Sequence, residues 1–251
     1  MYIPPLARDY TIKHGRVRIS MEPVIIFEDE TILVINKPSG LVVHPFDHST
    51  EVTLLDFLQE KSNYVPSIEN SITLQDGRVI QLGGIVHKLD RETSGVMVIA
   101  KNDATFSSLK KQFIEHTVKK TYTAIIEGIL EKDSFTIDEP LGRNKKEYKQ
   151  TVNPTNPRGE LRNAITEVTV LRKGNAMTEV ALKPITGRTH QLRAHMSYIG
   201  HPIVGDIAYG SIVKDSRIML HATNITIILE GVEKTFKAPL PEEFSELIST
   251  K

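Results

Sequence analysis

The stretch GIVHKLDRETSGVMVIAKN, Gly84 to Asn102, sets one carboxylate, Asp90, between Lys88 and Arg91 just ahead of an apolar run. A carboxylate at the mouth of a buried strand, flanked by cations, can stay charged in a partly desolvated cleft and serve as nucleophile or general base. An aspartate in a turn also accepts backbone N–H bonds readily. Both a chemical and a purely structural role are open on these residues alone.

A second constellation runs from Thr186 to His195, TGRTHQLRAH, and puts a glycine turn with Arg188 and Arg193 at the start of a helix. Free N–H groups, the positive helix end and arginine together favour an anion, either a phosphate or a protein carboxylate. His190 and His195 suggest a metal pair, but residues five apart on a helix point about 140° apart, so one ion cannot easily take both. His195 reads better as a hydrogen-bonded core residue. Tyr122 shares a strand face with Ala124 and Ile126, which by itself indicates core packing, and Lys119-Lys120 resembles a solvated helix end.

Several mechanisms lack their residues. The chain has no cysteine, which removes disulfides, thiolate metal sites and cysteine nucleophiles together. It contains no GxSxG elbow, because Glu92 stands two before Ser94, and no GxxxxGK[ST] or GxGxxG loop. Serine hydrolase, P-loop and dinucleotide-binding architectures are therefore poorly supported.

The elements that must position these residues follow from periodicity. Thr31 to Ile35 reads as a buried strand, Lys37-Pro38-Ser39-Gly40 as a turn, and Leu41 to Val43 as a returning strand. A short helix is expected over Val52 to Gln59, then a polar loop from Ser62 to Gln81 with a hairpin at Gln75-Asp76-Gly77. Gly95 to Ala100 is short, apolar and β-branched, the pattern of a strand covered on both faces. Asn102 or Asp103 caps a helix with Phe106, Leu109, Phe113 and Ile114 on one face. Tyr122 to Ile126 is a strand stopped by Gly128. Thr166 to Leu171 and Met177 to Leu182 form a hairpin through Lys173-Gly174-Asn175. Thr189 is expected to cap a helix striped by Leu192, Met196 and Ile199 and ended by Gly200. Hairpins dominate, so the class is α+β with a largely antiparallel sheet.

At 251 residues the length suits one large domain or a domain with a small appendage. Lys and Arg number 31 against 31 Asp and Glu, which at first argues against a polyanionic partner. The distribution argues for one: Arg143 to Arg162 holds six cations against two Glu, and Lys183 to Gly205 holds three cations and three His with no acid. Acids gather instead at Glu28-Asp29-Glu30 and at Glu242, Glu243 and Glu246. Segregation of this kind can build a basic face on a neutral protein. No apolar stretch approaches a membrane span and the N-terminus lacks the apolar core of a secretory signal, so a cytoplasmic location is expected.

Taken in order, the blocks ILVINKPSGLVVHP, GIVHKLDRETSGVMVIAKN, KKTYTAIIEG, PITGRTHQLRAHMSYIGHPIVGDIAYG and the late MLHA resemble the RluA family of pseudouridine synthases, from about Val24 to Phe244. The resemblance implies a uridine-to-pseudouridine isomerase acting within structured ribosomal or transfer RNA. It also implies an α+β catalytic fold, with a mixed, mostly antiparallel sheet, flanking helices and a central cleft, working without metal or cofactor; a monomer is expected. Residues 1–23 would be an extension and 24–251 the catalytic domain. By the same resemblance Asp90 matches the catalytic aspartate, Tyr122 the active-site tyrosine and Arg193 the arginine that pairs with the aspartate. Lys88, Arg91, Lys119, Lys120, Arg188 and His190 are the candidate RNA contacts. Two departures stand out. Lys88 replaces an arginine credited with entering the RNA as the uridine flips, which keeps the charge but loses the planar, stacking fork. The S4-type RNA-binding module that many relatives carry ahead of the catalytic domain is expected to be missing, leaving RNA affinity to the basic segments. Two other classes stay open: a non-catalytic RNA-binding protein on the same fold, and a nucleosidase or glycoside hydrolase, for which no second acid stands at interpretable spacing.

Overall fold

The computed structural model describes residues 22–46, 50–60, 70–143, 149–152, 154 and 157–249. Nearly all of the expected extension 1–23 lies outside them. In chain order the elements are β1 (Val24–Glu28), β2 (Ile32–Lys37), α1 (Leu54–Glu60), β3 (Ser71–Thr73), β4 (Val79–Gln81), β5 (Ser94–Ala100) and α2 (Asp103–Ile114). They continue with β6 (Lys119–Glu127), β7 (Ser134–Asp138), β8 (Leu141–Arg143), β9 (Gln150–Val152), β10 (Ile165–Lys173), β11 (Met177–Pro184), α3 (Gln191–Tyr198), β12 (Leu220–Leu229), β13 (Val232–Lys237) and α4 (Glu242–Ser249).

One nine-stranded sheet runs β1-β2-β5-β12-β6-β11-β10-β7, with β13 paired to β12 off that path. Its ladders are antiparallel except where β12 meets β5, a parallel contact of two register pairs, His221 with Ser94 and Ala222 with Gly95. β5 is buried along its whole length, as its unbroken apolar run requires. Gly95 has φ +121°, and a Cβ there would lie 2.3 Å from the Ala222 carbonyl oxygen, so no side chain fits at this junction. The interior holds two large apolar clusters, which meet at this junction, and a small third one of Leu141, Val152, Ala164, Ala194 and Tyr209. Of the large two, one gathers β2, β5, α1 and α2, the other β6, β11, α3 and α4, and Tyr122 packs against both.

Four local expectations are corrected. Lys119-Lys120 is not a helix end: α2 stops at Ile114, and the two lysines open β6 with Lys120 half-buried. Leu41 to Val43 does not form a returning strand: a single bridge links Val42 to Thr53, while the Val42 and Val43 carbonyls accept the Leu54 and Leu55 N–H groups at the start of α1. On α2, Phe106 and Leu109 are buried but Ile114, in the last turn, is 69% exposed. Gln112 is buried there instead, and its amide exchanges two 2.8 Å hydrogen bonds with the backbone of Ile228, standing in for a strand partner beside β12. Thr189 does not cap α3. The cap position is His190, in the left-handed conformation, while the Gln191 carboxamide takes the Arg188 N–H at 3.0 Å. The expected strands over Thr31 to Ile35, Gly95 to Ala100 and Tyr122 to Ile126, the hairpin of Thr166 to Leu171 with Met177 to Leu182, Asn102 as cap of α2 and the hairpin at Gln75-Asp76-Gly77 are present, whereas β1, β7, β8, β9, β12 and β13 had no counterpart in the periodicity.

Candidate active site

Asp90 is carried on the loop that feeds β5, and the turn after β2 clamps that loop. Lys37, fully buried at the end of β2, sends its ammonium to three carbonyls: Pro38 at 2.9 Å, Leu41 at 2.8 Å and Arg91 at 3.0 Å. The Gly40 N–H reaches the same Arg91 oxygen at 2.9 Å, and the Ser39 hydroxyl donates to the Glu92 carbonyl at 2.7 Å. The residue after Asp90 is thus fixed twice through its backbone, and the Thr93 N–H closes the turn on the Asp90 carbonyl at 3.1 Å. Gly40 adopts φ 87°, the left-handed conformation its turn position demands. Desolvation pulls the Lys37 ammonium down to about 7, against the opposing charges of Glu92 and Asp90.

Facing Asp90 is the first turn of α3. The Arg193 guanidinium is gripped by Asp206, Nε to Oδ2 at 2.6 Å and Nη2 to Oδ1 at 2.9 Å, and it lies over the Tyr209 ring at 4.9 Å. This leaves Nη1 to reach Asp90 Oδ2 at 3.4 Å. His190 approaches the same oxygen through Nε2 at 3.7 Å, and its Nδ1 lies 3.1 Å from the Tyr209 hydroxyl. Burial holds the His190 imidazole below its ordinary range, with Asp90 pulling upward and Arg193 downward. The anion held at this helix start is therefore a protein carboxylate, one of the two alternatives open from the sequence. His195 sits in the core, its ring nitrogens bonded to the Thr166 hydroxyl at 2.9 Å and the Glu139 carbonyl at 3.0 Å.

Tyr122, Lys120 and Ala124 alternate onto one face of β6, which forms the cleft wall. Burial, and then the charge of Asp90, push the Tyr122 phenol above its ordinary value, so it stays protonated at neutral pH. Lys120 is half-buried beside Gly187, and desolvation lowers its ammonium. Among the described residues no carboxylate pairs with it. His87, stacked on Phe113 with centroids 4.7 Å apart, accepts the Val98 N–H at Nε2 over 3.0 Å. Desolvation, then the charge of Lys120, pulls its imidazole down to about 3.

The other expected cations divide. Lys88 is exposed beside Asp90. Arg91 turns away onto Glu51 and Glu92, at 3.2 and 3.5 Å. Arg188 donates to the Asn163 carbonyl at 3.0 Å. Lys119 points to the opposite sheet face and pairs with Glu233 at 2.6 Å. The basic segment after Arg143 returns through β9, where the Gln150 N–H bonds the Tyr209 hydroxyl at 3.1 Å and Lys149 stands over that ring at 5.9 Å. Lys145 and Lys146 lie outside the described residues. Among those described, no group of three or more His, Asp or Glu side chains is placed to hold a metal ion, and no helix is long and apolar enough to cross a membrane.

Residue types and spacing did not single out Lys37, Asp206 or Tyr209. Each lies in a motif block quoted above, NKPSG or GDIAYG, and a lysine directly after a buried apolar strand or a lone aspartate among apolar residues is the only signal that Lys37 and Asp206 leave.

The RNA pseudouridylate synthase family model matches residues 31–198. A Bacillus subtilis protein named uncharacterized RNA pseudouridine synthase YlyB is 38% identical over 91% of this chain and 72% of its own length. The ribosomal large subunit pseudouridine synthase D of Pseudomonas aeruginosa is 36% identical, covering 91% and 72%. Among solved structures, human RNA pseudouridylate synthase domain containing 4 superposes with a TM-score of 0.71 at 26% identity, over 88% of this chain and 90% of that one. Human RNA pseudouridylate synthase domain containing 1 gives 0.68 at 28% identity, over 91% and 86%. The motif blocks, the mixed sheet with its central cleft and these matches agree: the chain belongs to the RNA pseudouridylate synthase family, as an RNA-modifying isomerase of the RluA type.

Proposed function

We propose that Asp90 is the nucleophile of this isomerase and that its substrate is a uridine in large-subunit ribosomal RNA, modified in the cytoplasm by a monomeric enzyme. The carrying observation is the convergence of Arg193 Nη1 and His190 Nε2 on Asp90 Oδ2, at 3.4 and 3.7 Å, in a cleft walled by Tyr122. Among the described residues Oδ1 accepts no hydrogen bond, which leaves one oxygen for the substrate. The ribosomal substrate follows the names of relatives such as synthase D of Pseudomonas aeruginosa and Escherichia coli.

In this scheme the target uridine is flipped into the cleft, and Oδ1 of Asp90 adds to C1′ or assists glycal formation as the C1′–N1 bond breaks. The freed uracil turns within the closed site and C5 bonds to C1′ as the Asp90–C1′ bond breaks, or, from the glycal, as C2′ regains the proton that Asp90 removed; the C5 proton then leaves and N1 takes up a proton. A protonated Tyr122 phenol is a poor proton acceptor, so its part is to pack against the base and support the proton's departure rather than to act as a free phenolate. Lys88 and Lys120, with Arg188 and the basic segment around Arg143, supply the phosphate contacts. Arg91 and Lys119, both engaged by glutamates, are secondary candidates that RNA would have to draw from their partners.

The test is RNA tritiated at uridine C5, incubated in chelator with the parent and with Asp90→Asn. The parent should release tritium without free uracil, leaving RNA mass unchanged, and the variant should release none while binding RNA within a few-fold of the parent. Tritium release by Asp90→Asn would remove the nucleophile assignment, and free uracil would mean a glycosidase. Comparing pseudouridine maps of large-subunit and transfer RNA from cells with and without the gene decides the substrate; a lost site in transfer RNA alone would replace the ribosomal assignment.

A further inference from the structure

His190 is set up as more than another polar side chain near RNA. Its backbone is left-handed, φ 54° and ψ 20°, at the cap of α3. Left-handed conformations cost a non-glycine residue free energy and gather where surrounding structure enforces them for function. The ring is fixed from the side remote from Asp90. The Tyr209 hydroxyl accepts the Gln150 backbone N–H at 3.1 Å, so its own proton is free to go to His190 Nδ1, also at 3.1 Å. Tyr209 is 4% exposed and lies edge-on to the imidazole, with centroids 5.8 Å apart at 83°. Burial raises its phenol to about 12, which keeps the hydroxyl a donor. An imidazole that accepts at Nδ1 carries its proton on Nε2, and Nε2 is the atom that faces Asp90 Oδ2 at 3.7 Å.

We propose that His190 is a positioning residue of the reaction. A relay from Gln150 N–H through the Tyr209 hydroxyl locks it as the Nε2–H tautomer, and with Arg193 it holds Asp90 Oδ2, aiming Oδ1 at the sugar. The two donors come from one helix start, three residues apart, and meet on one oxygen. A carboxylate held by one oxygen from two directions cannot rotate its free oxygen out of line, and misplacement of a reacting atom by an ångström can cost on the order of 100-fold in rate. From 3.7 Å a shift of under an ångström makes the His190 contact a hydrogen bond, the kind of tightening that accompanies substrate binding. This role rests on Asp90 being the nucleophile.

The experiment compares His190→Asn, His190→Gln and Tyr209→Phe in single turnovers at saturating enzyme, with RNA affinity and melting temperature measured alongside. Asparagine tolerates the left-handed backbone, and its amide nitrogen takes the Nδ1 position, short of Asp90. Glutamine extends its amide nitrogen to the Nε2 position. His190→Asn should fold as well as the parent, bind RNA within about twofold and react about tenfold or more slowly. His190→Gln should recover most of that rate, and Tyr209→Phe should slow the reaction by several-fold with RNA affinity unchanged. Equal rates for the Asn and Gln variants, whether both fast or both slow, would overturn the role, as would a defect confined to RNA affinity. Asp90→Asn run in the same series separates the two proposals: activity there sinks the nucleophile itself, whereas an inactive Asp90→Asn beside equal His190 variants sinks only the positioning role.

Discussion

Replacing Asp206 by asparagine should damage stability and chemistry together. Asp206 is 1% exposed and the Arg193 side chain 9%, and the pair is bidentate at 2.6 and 2.9 Å. The substitution keeps the shape but puts an amide N–H against the guanidinium and leaves the arginine buried with a single distant carboxylate. Breaking a buried pair by removing one partner costs about 3–5 kcal/mol, which in a chain of this size lowers the melting temperature by about 6–20 °C. Freed from Asp206, the guanidinium is drawn toward Asp90, 3.4 Å away, and the carboxylate loses its aim; the single-turnover rate should fall by about 100-fold. The double variant Arg193→Met with Asp206→Leu separates the two effects. Replacing both members by apolar side chains is often close to neutral for stability, so it should melt near the parent and yet stay inactive. Thermal melts and single-turnover tritium release are the assays. An Asp206→Asn variant that melts within about 2 °C of the parent would show that Asp206 does not hold Arg193 in place, and a double variant that keeps activity would show that Arg193 is not needed to aim Asp90.

Lys88→Arg should preserve or raise turnover, because the arginine fork adds stacking to the same charge. Lys88→Ala should lose productive RNA engagement, read as a rate recovered at high enzyme, and an alanine variant matching the parent at every concentration removes Lys88 from the site. His87 must be neutral to accept the Val98 N–H, and its folded value of about 3 lies below the ordinary 6.5. The native state therefore binds fewer protons than the unfolded chain between those values, and its contribution is intact above pH 6.5 and lost as pH falls toward 3. Denaturant midpoints from pH 7 down to pH 4 should drop less steeply in His87→Leu than in the parent, although the variant starts lower; parallel slopes would refute this.

Much of the frame was legible because its signals are local. The apolar run after Asp90 could only be a strand covered on both faces, and β5 is that strand. Leu41 to Val43 misled because its apolar residues face the core while its carbonyls go to the start of α1, a partnership that side-chain alternation does not encode. Ile114 fits a helical stripe by spacing, yet buried Gln112 takes the contact with β12, since an open strand edge there calls for a carboxamide. The motif blocks brought Asp90, Tyr122 and Arg193 together, whereas Asp206 and Tyr209 enter the site only through a loop returning from the end of α3. That return is tertiary, and nothing in the spacing between Arg193 and Asp206 announces it.

The two-residue parallel splice between β5 and β12 carries a consequence for the order of events in folding. Ser94 and His221 are 127 positions apart along the chain, and Asp90 and Arg193 are 103 apart. Each apolar cluster can gather largely from neighbouring segments, but the splice must wait for β12, and bringing such distant residues together delays the step in which they meet. The cleft is the product of that last closure, since Asp90 hangs from one cluster and α3 from the other. On refolding, the helix and strand signal should return first and tritium-releasing activity afterwards, at the rate of the splice. Each half-formed molecule meanwhile shows an unpaired edge of β5 and no chemistry, so a chain that stalls short of closure is silent toward RNA instead of cutting its glycosidic bonds without rejoining them.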